Sequence, residues 1–82
     1  MKLYYTYVLR SCKDDNLYIG YTEDIEERFK KHNNGLVLAT KNRRPLELVY
    51  FEACLKKDGA ISREKQLKTG FGRAYLKRRI AD

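Results

Sequence analysis

The chain of 82 residues has no tryptophan, one proline and only two cysteines. Neither Cys12 nor Cys54 has a neighbouring histidine or second cysteine, so the spacing is not that of a zinc site, and we expect both to be small buried apolar side chains. The sequence also lacks a secretory h-region and any apolar run of about 18 residues. These absences argue against a metal-stapled fold and a membrane role, and they favour a reducing cytoplasm.

Positive charge, by contrast, is in excess. Lysine and arginine together number 18 against 11 acids, which gives a net charge of +7. A domain this basic attracts polyanions, and DNA is the partner that we expect. Charge alone leaves open a merely soluble basic domain. The cations form two groups suited to phosphate contacts, Lys41, Arg43 and Arg44 in one and seven cations from Arg63 to Arg79 in the other. Of these seven, the predicted DNA-binding residues are Arg63, Lys65, Lys68, Arg73 and Lys77, and the other two are Arg78 and Arg79.

The length holds one domain, residues 1–82, and 43% hydrophobic residues can supply its core. Three segments have strand character. The segments Leu3–Leu9 and Leu17–Tyr21 flank a polar turn and form a predicted hairpin, and Leu46–Cys54 is the third strand. Residues 36–45 are predicted to be an exposed basic loop.

Helical patterns occupy the rest. Thr22 can cap a helix over Glu23–Asn33, whose inward stripe is Ile25, Phe29 and His32. Asp58 is the predicted cap of a second helix, and Thr69–Gly72 is predicted to separate it from a third over Arg73–Ile80. The order ββαβαα predicts an α/β (α+β) fold, with a small, mostly antiparallel three-stranded sheet flanked by helices.

One acid lies where an apolar residue is expected. Glu64 interrupts the apolar face of the second helix between Ile61 and Leu67. A carboxylate there pairs with a nearby cation at the edge of the face, or it binds a metal ion, since Mg²⁺ prefers carboxylate oxygen. The sequence leaves both interpretations open.

Arg28 borders the inward stripe of the first helix. It is a candidate for binding a phosphate and stabilising its transition-state charge, and the alternative is a solvated side chain or an ion pair with Asp24. His32 lies four residues further on, as a hydrogen-bonded core residue or as a group that orients a water or a tyrosine. Strand periodicity brings Tyr7 and Tyr18 onto one face, as aromatic core or as proton-transfer groups.

These residues, in this order, resemble the GIY-YIG nuclease superfamily. The two signatures stand here as Tyr5-Thr6-Tyr7 and Tyr18-Ile19-Gly20, and the short stand-alone bacterial domains of this family are similar at residues 5–9, 17–22 and 64–68. The first signature departs from the pattern, because Tyr5 and Thr6 replace its glycine and isoleucine.

The resemblance implies an endonuclease that hydrolyses DNA phosphodiester bonds, with DNA repair or recombination as the process. It implies that Glu64 holds a single Mg²⁺ or Mn²⁺, that Arg28 contacts the scissile phosphate, that Tyr7 or Tyr18 helps to deprotonate water, and that His32 shares their site. The alternatives are a catalytically idle DNA-binding module, since the asparagine that several members carry after the glutamate is absent here, and a protein-interaction adaptor. The oligomeric state is not predicted.

Overall fold

The computed structural model describes residues 1–81 and contains three strands and three α-helices in the predicted order ββαβαα. The antiparallel sheet has the strand order β2-β1-β3. The predicted fold class is therefore confirmed. The elements are β1 (Tyr4–Ser11), β2 (Leu17–Thr22), α1 (Ile25–Asn33), β3 (Leu46–Cys54), α2 (Lys57–Leu67) and α3 (Gly70–Ile80).

The register of the central strand β1 fixes where its side chains point. Tyr7 pairs with Gly20 of β2 and with Phe51 of β3. The pairing with β3 then shifts between Val8 and Leu9, which leaves Val49 as an extra residue in β3. Such a bulge bends the strand locally. The ladder places Tyr7 at the centre of the sheet, opposite a residue without a side chain.

Alternation along β1 divides the core between the two faces of the sheet. Val8 packs with Ile19 and with Leu67 and Leu76, so α2 and α3 cover one face. Tyr7 and Leu9 form a second cluster with Leu46, against which Ile25 and Phe29 of α1 pack. The predicted inward stripe of α1 is confirmed.

Two predicted helix caps are wrong. The side chain of Asp24, not that of Thr22, caps α1 by accepting a hydrogen bond from the Glu27 N–H at 3.1 Å. Thr22 instead closes the preceding turn through hydrogen bonds with the Asp24 backbone. The second helix begins at Lys57 with no side-chain cap, so Asp58 lies inside its first turn.

The predicted break at Thr69–Gly72 is also wrong beyond Thr69. Thr69 caps α3 by accepting from the Gly72 N–H, and the helix begins at Gly70. A side chain at Gly72 would overlap the backbone of Gln66 and Leu67. The glycine therefore permits the close approach of α3 to the end of α2 and does not interrupt the helix.

The cysteine prediction is wrong for Cys12, which is exposed, while Cys54 is half-buried. Cys12 follows β1 at a turn and so leaves the core. The loop over residues 36–45 is largely exposed, as predicted, but it contains a short 3₁₀ turn at Lys41–Arg43 and the fully buried Thr40. Within residues 1–81, no helix is both long and apolar enough to cross a membrane.

Candidate functional site

The site is built around Tyr7, whose side chain is only 2% exposed although its ring reaches the edge strand β2. A Cβ atom at Gly20 would lie 2.5 Å from the Tyr7 hydroxyl oxygen. Only glycine therefore leaves room for the ring at the paired position. The glycine of the second tyrosine signature thus has a steric role in seating the tyrosine of the first.

A chain of hydrogen bonds runs through the Tyr7 hydroxyl. The Arg28 Nε–H donates to this oxygen at 3.2 Å, and His32 Nε2 lies 2.7 Å from it. On its other side, His32 Nδ1 lies 2.7 Å from Thr40 Oγ1. We call these four residues the Arg28 network. It joins β1, α1 and the loop before β3 through side-chain atoms alone.

His32 is fully buried, and burial, together with the positive charge of Arg28, lowers its pKa from 6.5 to about 4. The imidazole is therefore neutral near pH 7 and carries one N–H. If Nδ1 holds the proton, it donates to Thr40 and leaves Nε2 to accept from the Tyr7 hydroxyl. The other tautomer would donate from Nε2 to Tyr7. A hydrogen bond from Nδ1–H to Thr40 thus favours the tautomer whose Nε2 can accept a proton from Tyr7.

Burial raises the pKa of Tyr7, and the hydrogen bond from Arg28 opposes that shift. The negative charge of Glu64 raises the Tyr7 pKa further, which places its carboxylate within electrostatic range of the phenol. Tyr18 completes the aromatic group, with ring centroids 6.3 Å from Tyr7 and 5.0 Å from His32. The prediction that Tyr7 and Tyr18 share a face is confirmed.

Arg28 is half-buried and makes no ion pair with a carboxylate among residues 1–81. Its contact with Asp24 is the backbone hydrogen bond of the helix, so the ion-pair alternative does not hold. The hydrogen bond with Tyr7 raises the pKa of its guanidinium, and Tyr18 acts in the same direction. Its charge is thus fixed in place by phenols and not neutralised.

Glu64 has the pairing that the alternative interpretation predicted. Its carboxylate binds Lys68 Nζ at 2.9 Å, and its side chain is 22% exposed. Within residues 1–81, no group of three or more histidine, cysteine or acidic side chains could share a metal ion. A site of the zinc type therefore does not fit. A single half-buried carboxylate fits a hard cation that keeps most of its water and gains further oxygen from a phosphate.

An open cleft of about 870 Å³ lies between the β1–β2 hairpin and α3, with Lys68 after the end of α2 at its edge, and Tyr18 is the residue of the site that lines it. We call it the Tyr18 cleft, because Tyr18 of the site lines it together with Lys68, the partner of Glu64. Its other cations are Arg10, Arg73 and Lys77. Of the predicted DNA-binding residues, Lys68, Arg73 and Lys77 therefore lie together.

The remaining predicted DNA-binding residues lie outside this cleft. Arg43 is 3.4 Å from Asp14, and Arg44 donates to the Lys41 carbonyl. Lys65 is exposed on α2. Arg63 is bound to a carboxylate on the far face of the sheet.

That second group of polar residues we call the Arg63 clamp. Arg63 donates to both oxygens of Glu52, with Nε–O distances of 2.9 and 3.1 Å, and Tyr50 donates to the same carboxylate at 2.6 Å. The Tyr75 hydroxyl lies 3.2 Å from that of Tyr50. Burial raises the pKa of Glu52, but the hydrogen bonds from Arg63 and Tyr50 outweigh it and leave the pKa lowered. The clamp ties β3 to α2 and α3.

Sequence reasoning missed Thr40, because it lies in a segment with no helix or strand periodicity. Its only signal in the sequence is a hydroxyl residue in a loop. In the structure Thr40 precedes the short 3₁₀ turn, and its side chain makes no capping hydrogen bond. Spacing predicted two pairs, Tyr7 with Tyr18 and Arg28 with His32, and the resemblance implied the single site in which the structure brings them together. Their roles, and that of Glu64, stay predictions.

Comparison with known proteins agrees with this geometry. The family model of the GIY-YIG catalytic domain matches residues 3–79. The chain is similar to a UPF0213 protein of Staphylococcus saprophyticus, with 49% identity over 70 residues and 84% of each chain covered. A UPF0213 protein of Natronomonas pharaonis is 41% identical over 80 residues, 96% of this chain and 92% of that one. The solution NMR structure of a UPF0213 protein from Bacillus halodurans has a TM-score of 0.55 and 35% identity, covering 90% of this chain and 81% of its own.

Proposed function

The chain belongs to the GIY-YIG family, and from that premise we propose that it is an endonuclease that hydrolyses DNA phosphodiester bonds with Mg²⁺ or Mn²⁺. The family is of the nuclease type and implies DNA as the substrate and a divalent cation. One observation carries the finer proposal: Arg28, with no carboxylate against it among the described residues, is held on the Tyr7 hydroxyl. DNA repair or recombination is the process that such cutting would serve.

Arg28 has the properties of a phosphate ligand. A guanidinium can donate two parallel hydrogen bonds to phosphate oxygens. Tyr7 engages the Nε of Arg28, and the other partner of the guanidinium is the phenol of Tyr18, so no carboxylate competes with the scissile phosphate for its N–H groups. Lys68, Arg73 and Lys77 then contact the flanking phosphates along the Tyr18 cleft.

The proton of the attacking water has a path through the Arg28 network. Water transfers a proton to the Tyr7 oxygen while the Tyr7 hydroxyl passes its own proton to His32 Nε2, 2.7 Å away. The new phosphorus–oxygen bond forms as the opposite ester bond breaks, and the leaving oxygen takes a proton from solvent. Burial lowers the His32 pKa most and the charge of Arg28 lowers it further; a phosphate bound to Arg28 offsets this second contribution, in the direction that favours the transfer.

Glu64 would hold the divalent cation, which supplies charge neutralisation at the phosphate and at the leaving oxygen. The Lys68 ammonium has to move from the carboxylate when this happens, and a nearby phosphate gives it a new partner. Tyr18 packs its ring against those of His32 and Tyr7, so it orients the imidazole.

The test is nicking of supercoiled plasmid and cleavage of branched and single-stranded DNA, with Mg²⁺ or Mn²⁺, by the wild type, Glu64→Gln and Glu27→Gln. Glu27 is a matched control, because it also forms an i,i+4 pair with a lysine at 2.9 Å on an exposed helix face. We expect Glu64→Gln to abolish cleavage and Glu27→Gln to retain it. Equal cleavage by the wild type and Glu64→Gln would falsify the assignment of Glu64.

A DNA-binding module without turnover is the second candidate. The observation that favours it is the Lys68 ammonium, which already neutralises the carboxylate that would hold the cation. A wild type that binds DNA in a salt-dependent way, yet cuts no substrate with either metal, would establish this function in place of the endonuclease.

A further inference from the structure

Helix α3 has a second cationic side that the proposed reaction does not use. Residues Arg73, Lys77 and Ile80 recur at i, i+4 and i+7 and face the Tyr18 cleft. Phe71, Tyr75 and Arg78 recur at the same spacing about half a turn away. They line a separate groove of about 510 Å³, which we call the Phe71 groove.

The most unusual residue in this groove is Phe71, whose side chain is 93% exposed. A single exposed apolar residue is ordinary on a protein surface. Phe71 differs in its surroundings, because the groove that it lines contains two arginines, Arg63 and Arg78, and no carboxylate. An aromatic ring open to solvent, in a concave cationic surface, fits a planar anionic ligand.

Two guanidinium groups contact Tyr75, which lines the Phe71 groove: Arg63 Cζ lies 4.9 Å and Arg79 Cζ 5.1 Å from the centroid of its ring. The Arg63 clamp fixes one of these groups, since Glu52 holds it through both oxygens. Arg78 makes no ion pair with any residue of the described chain, 1–81, so its charge is available to a ligand.

We propose that the Phe71 groove binds an unpaired nucleotide of the substrate, with its base stacked on Phe71 and its phosphate on Arg78. Base–aromatic stacking tolerates any base, and a neighbouring cation supplies the backbone contact. Both sides of α3 then bind one nucleic acid: the strand to be cut in the Tyr18 cleft, and an unpaired segment in the Phe71 groove. The inference rests on the proposed function for the identity of the ligand as DNA, but it does not require that DNA is cut.

The alternative occupant of an exposed aromatic residue beside an arginine is a protein partner. Charge complementarity favours the nucleic acid, because Glu52 neutralises Arg63 but the groove also offers the Arg78 cation, and no carboxylate lines it to bind a mixed protein surface. The test below decides between the two by asking whether the bases themselves contribute to binding.

The experiment measures binding affinity by fluorescence anisotropy, at low salt and without divalent metal. The two labelled ligands are a short oligothymidine and the same oligomer with abasic sugars in place of its nucleosides. The proteins are the wild type, Phe71→Leu, Phe71→Tyr and Leu55→Ala. Leu55 is a matched control, since it is 66% exposed and lines neither groove. Both substituted residues, Phe71 and Leu55, are exposed enough for the three variants to keep the fold intact.

Stacking of one base is worth a factor of roughly 5 or more in affinity. We expect Phe71→Leu to weaken oligothymidine binding by about that factor and to leave the abasic oligomer unaffected, while Phe71→Tyr and Leu55→Ala bind like the wild type. Equal weakening of both oligomers, or no weakening of either, would overturn the proposal and leave the Phe71 groove to a protein partner. If the wild type binds in a base-dependent way but cuts no DNA, only the endonuclease proposal is rejected. If the wild type cuts DNA but Phe71→Leu binds oligothymidine as tightly as the wild type, only the proposal for the Phe71 groove is rejected.

Discussion

The two faces of the sheet carry polar networks of nearly the same composition with opposite electrostatic outcomes. Each contains an arginine, a tyrosine hydroxyl and a further side chain that is hydrogen-bonded to that tyrosine. In the Arg63 clamp that further side chain is the carboxylate of Glu52, which neutralises the guanidinium. In the Arg28 network it is the neutral imidazole of His32, so the arginine keeps its charge.

This difference separates a structural contact from a candidate site. A guanidinium that binds a carboxylate through both oxygens has little left to offer a phosphate, and breaking such a pair leaves a charge without a partner. A guanidinium held by phenols can bind an incoming anion without first giving up a bound carboxylate. Residue type therefore does not distinguish Arg28 from Arg63, and the position of the counter-charge does.

The largest expected effect that tests this contrast is the loss of Arg28. In Arg28→Ala, we expect DNA cleavage to fall by roughly 10²–10³-fold, because one preformed donor to the transition-state charge contributes that much. The measurement is the initial rate of plasmid nicking at saturating Mg²⁺ or Mn²⁺, with urea unfolding of the same protein. A variant that unfolds at much lower urea but, when folded, cuts at the wild-type rate would assign Arg28 to stability and break the comparison.

The second prediction concerns the neutral state of His32. Its pKa is about 4 in the folded protein against 6.5 ordinarily, so below pH 6.5 the unfolded chain binds a proton that the folded one rejects. Stability is therefore full above pH 6.5 and is lost as the pH falls towards 4. Between pH 7.5 and 4.5 the loss from this group is about 2–3 kcal/mol.

Urea unfolding of the wild type and of His32→Gln at both pH values isolates this contribution, since the carboxylates titrate in both proteins. We expect the wild type to lose more stability on acidification than the variant, although the variant is less stable at pH 7.5. Equal losses in the two proteins would mean that the fold does not lower the pKa of His32, and the contrast drawn from its neutral imidazole would fail.

The third prediction concerns the Arg63 clamp. In Arg63→Met, which keeps the apolar stem, we expect a loss of about 1–2 kcal/mol of unfolding free energy, because Glu52 is left half-buried without its cation. The double variant Arg63→Met/Glu52→Gln, in which the orphaned charge is removed, should recover part of this loss. A single variant as stable as the wild type would show that the clamp does not tie β3 to the helices.

Much of the fold could be predicted, because alternation in β3 and the stripe of α1 are local patterns that burial enforces. The wrong predictions concern positions where the local sequence is compatible with two structures. Thr22 and Asp24 both offer a capping oxygen, and only the path of the chain selects Asp24. Gly72 has the sequence character of a helix breaker, but its role depends on how closely α3 approaches α2, which no local pattern contains.

The site was predictable to the extent that periodicity brings side chains together. Tyr7 and Tyr18 share a face because strands alternate, and Arg28 and His32 are one helical turn apart. The partners of the cations were not predictable. Glu52 meets Arg63 only after β3 and α2 pack, so the sequence could not separate this arginine from the DNA-binding cluster.

Thr40 gives the smallest expected effect and the sharpest test of the proton path. Thr40→Val keeps the shape of the side chain but removes the partner of His32 Nδ1, 2.7 Å away, so the tautomer that accepts a proton from Tyr7 is disfavoured. Loss of one such hydrogen bond corresponds to about 1 kcal/mol, or roughly 5-fold in cleavage rate. We expect the maximal rate and its pH profile to change, KM to stay constant, and Thr40→Ser to restore both. A rise in KM alone, or no rescue by serine, would mean that Thr40 only fills space beneath the histidine.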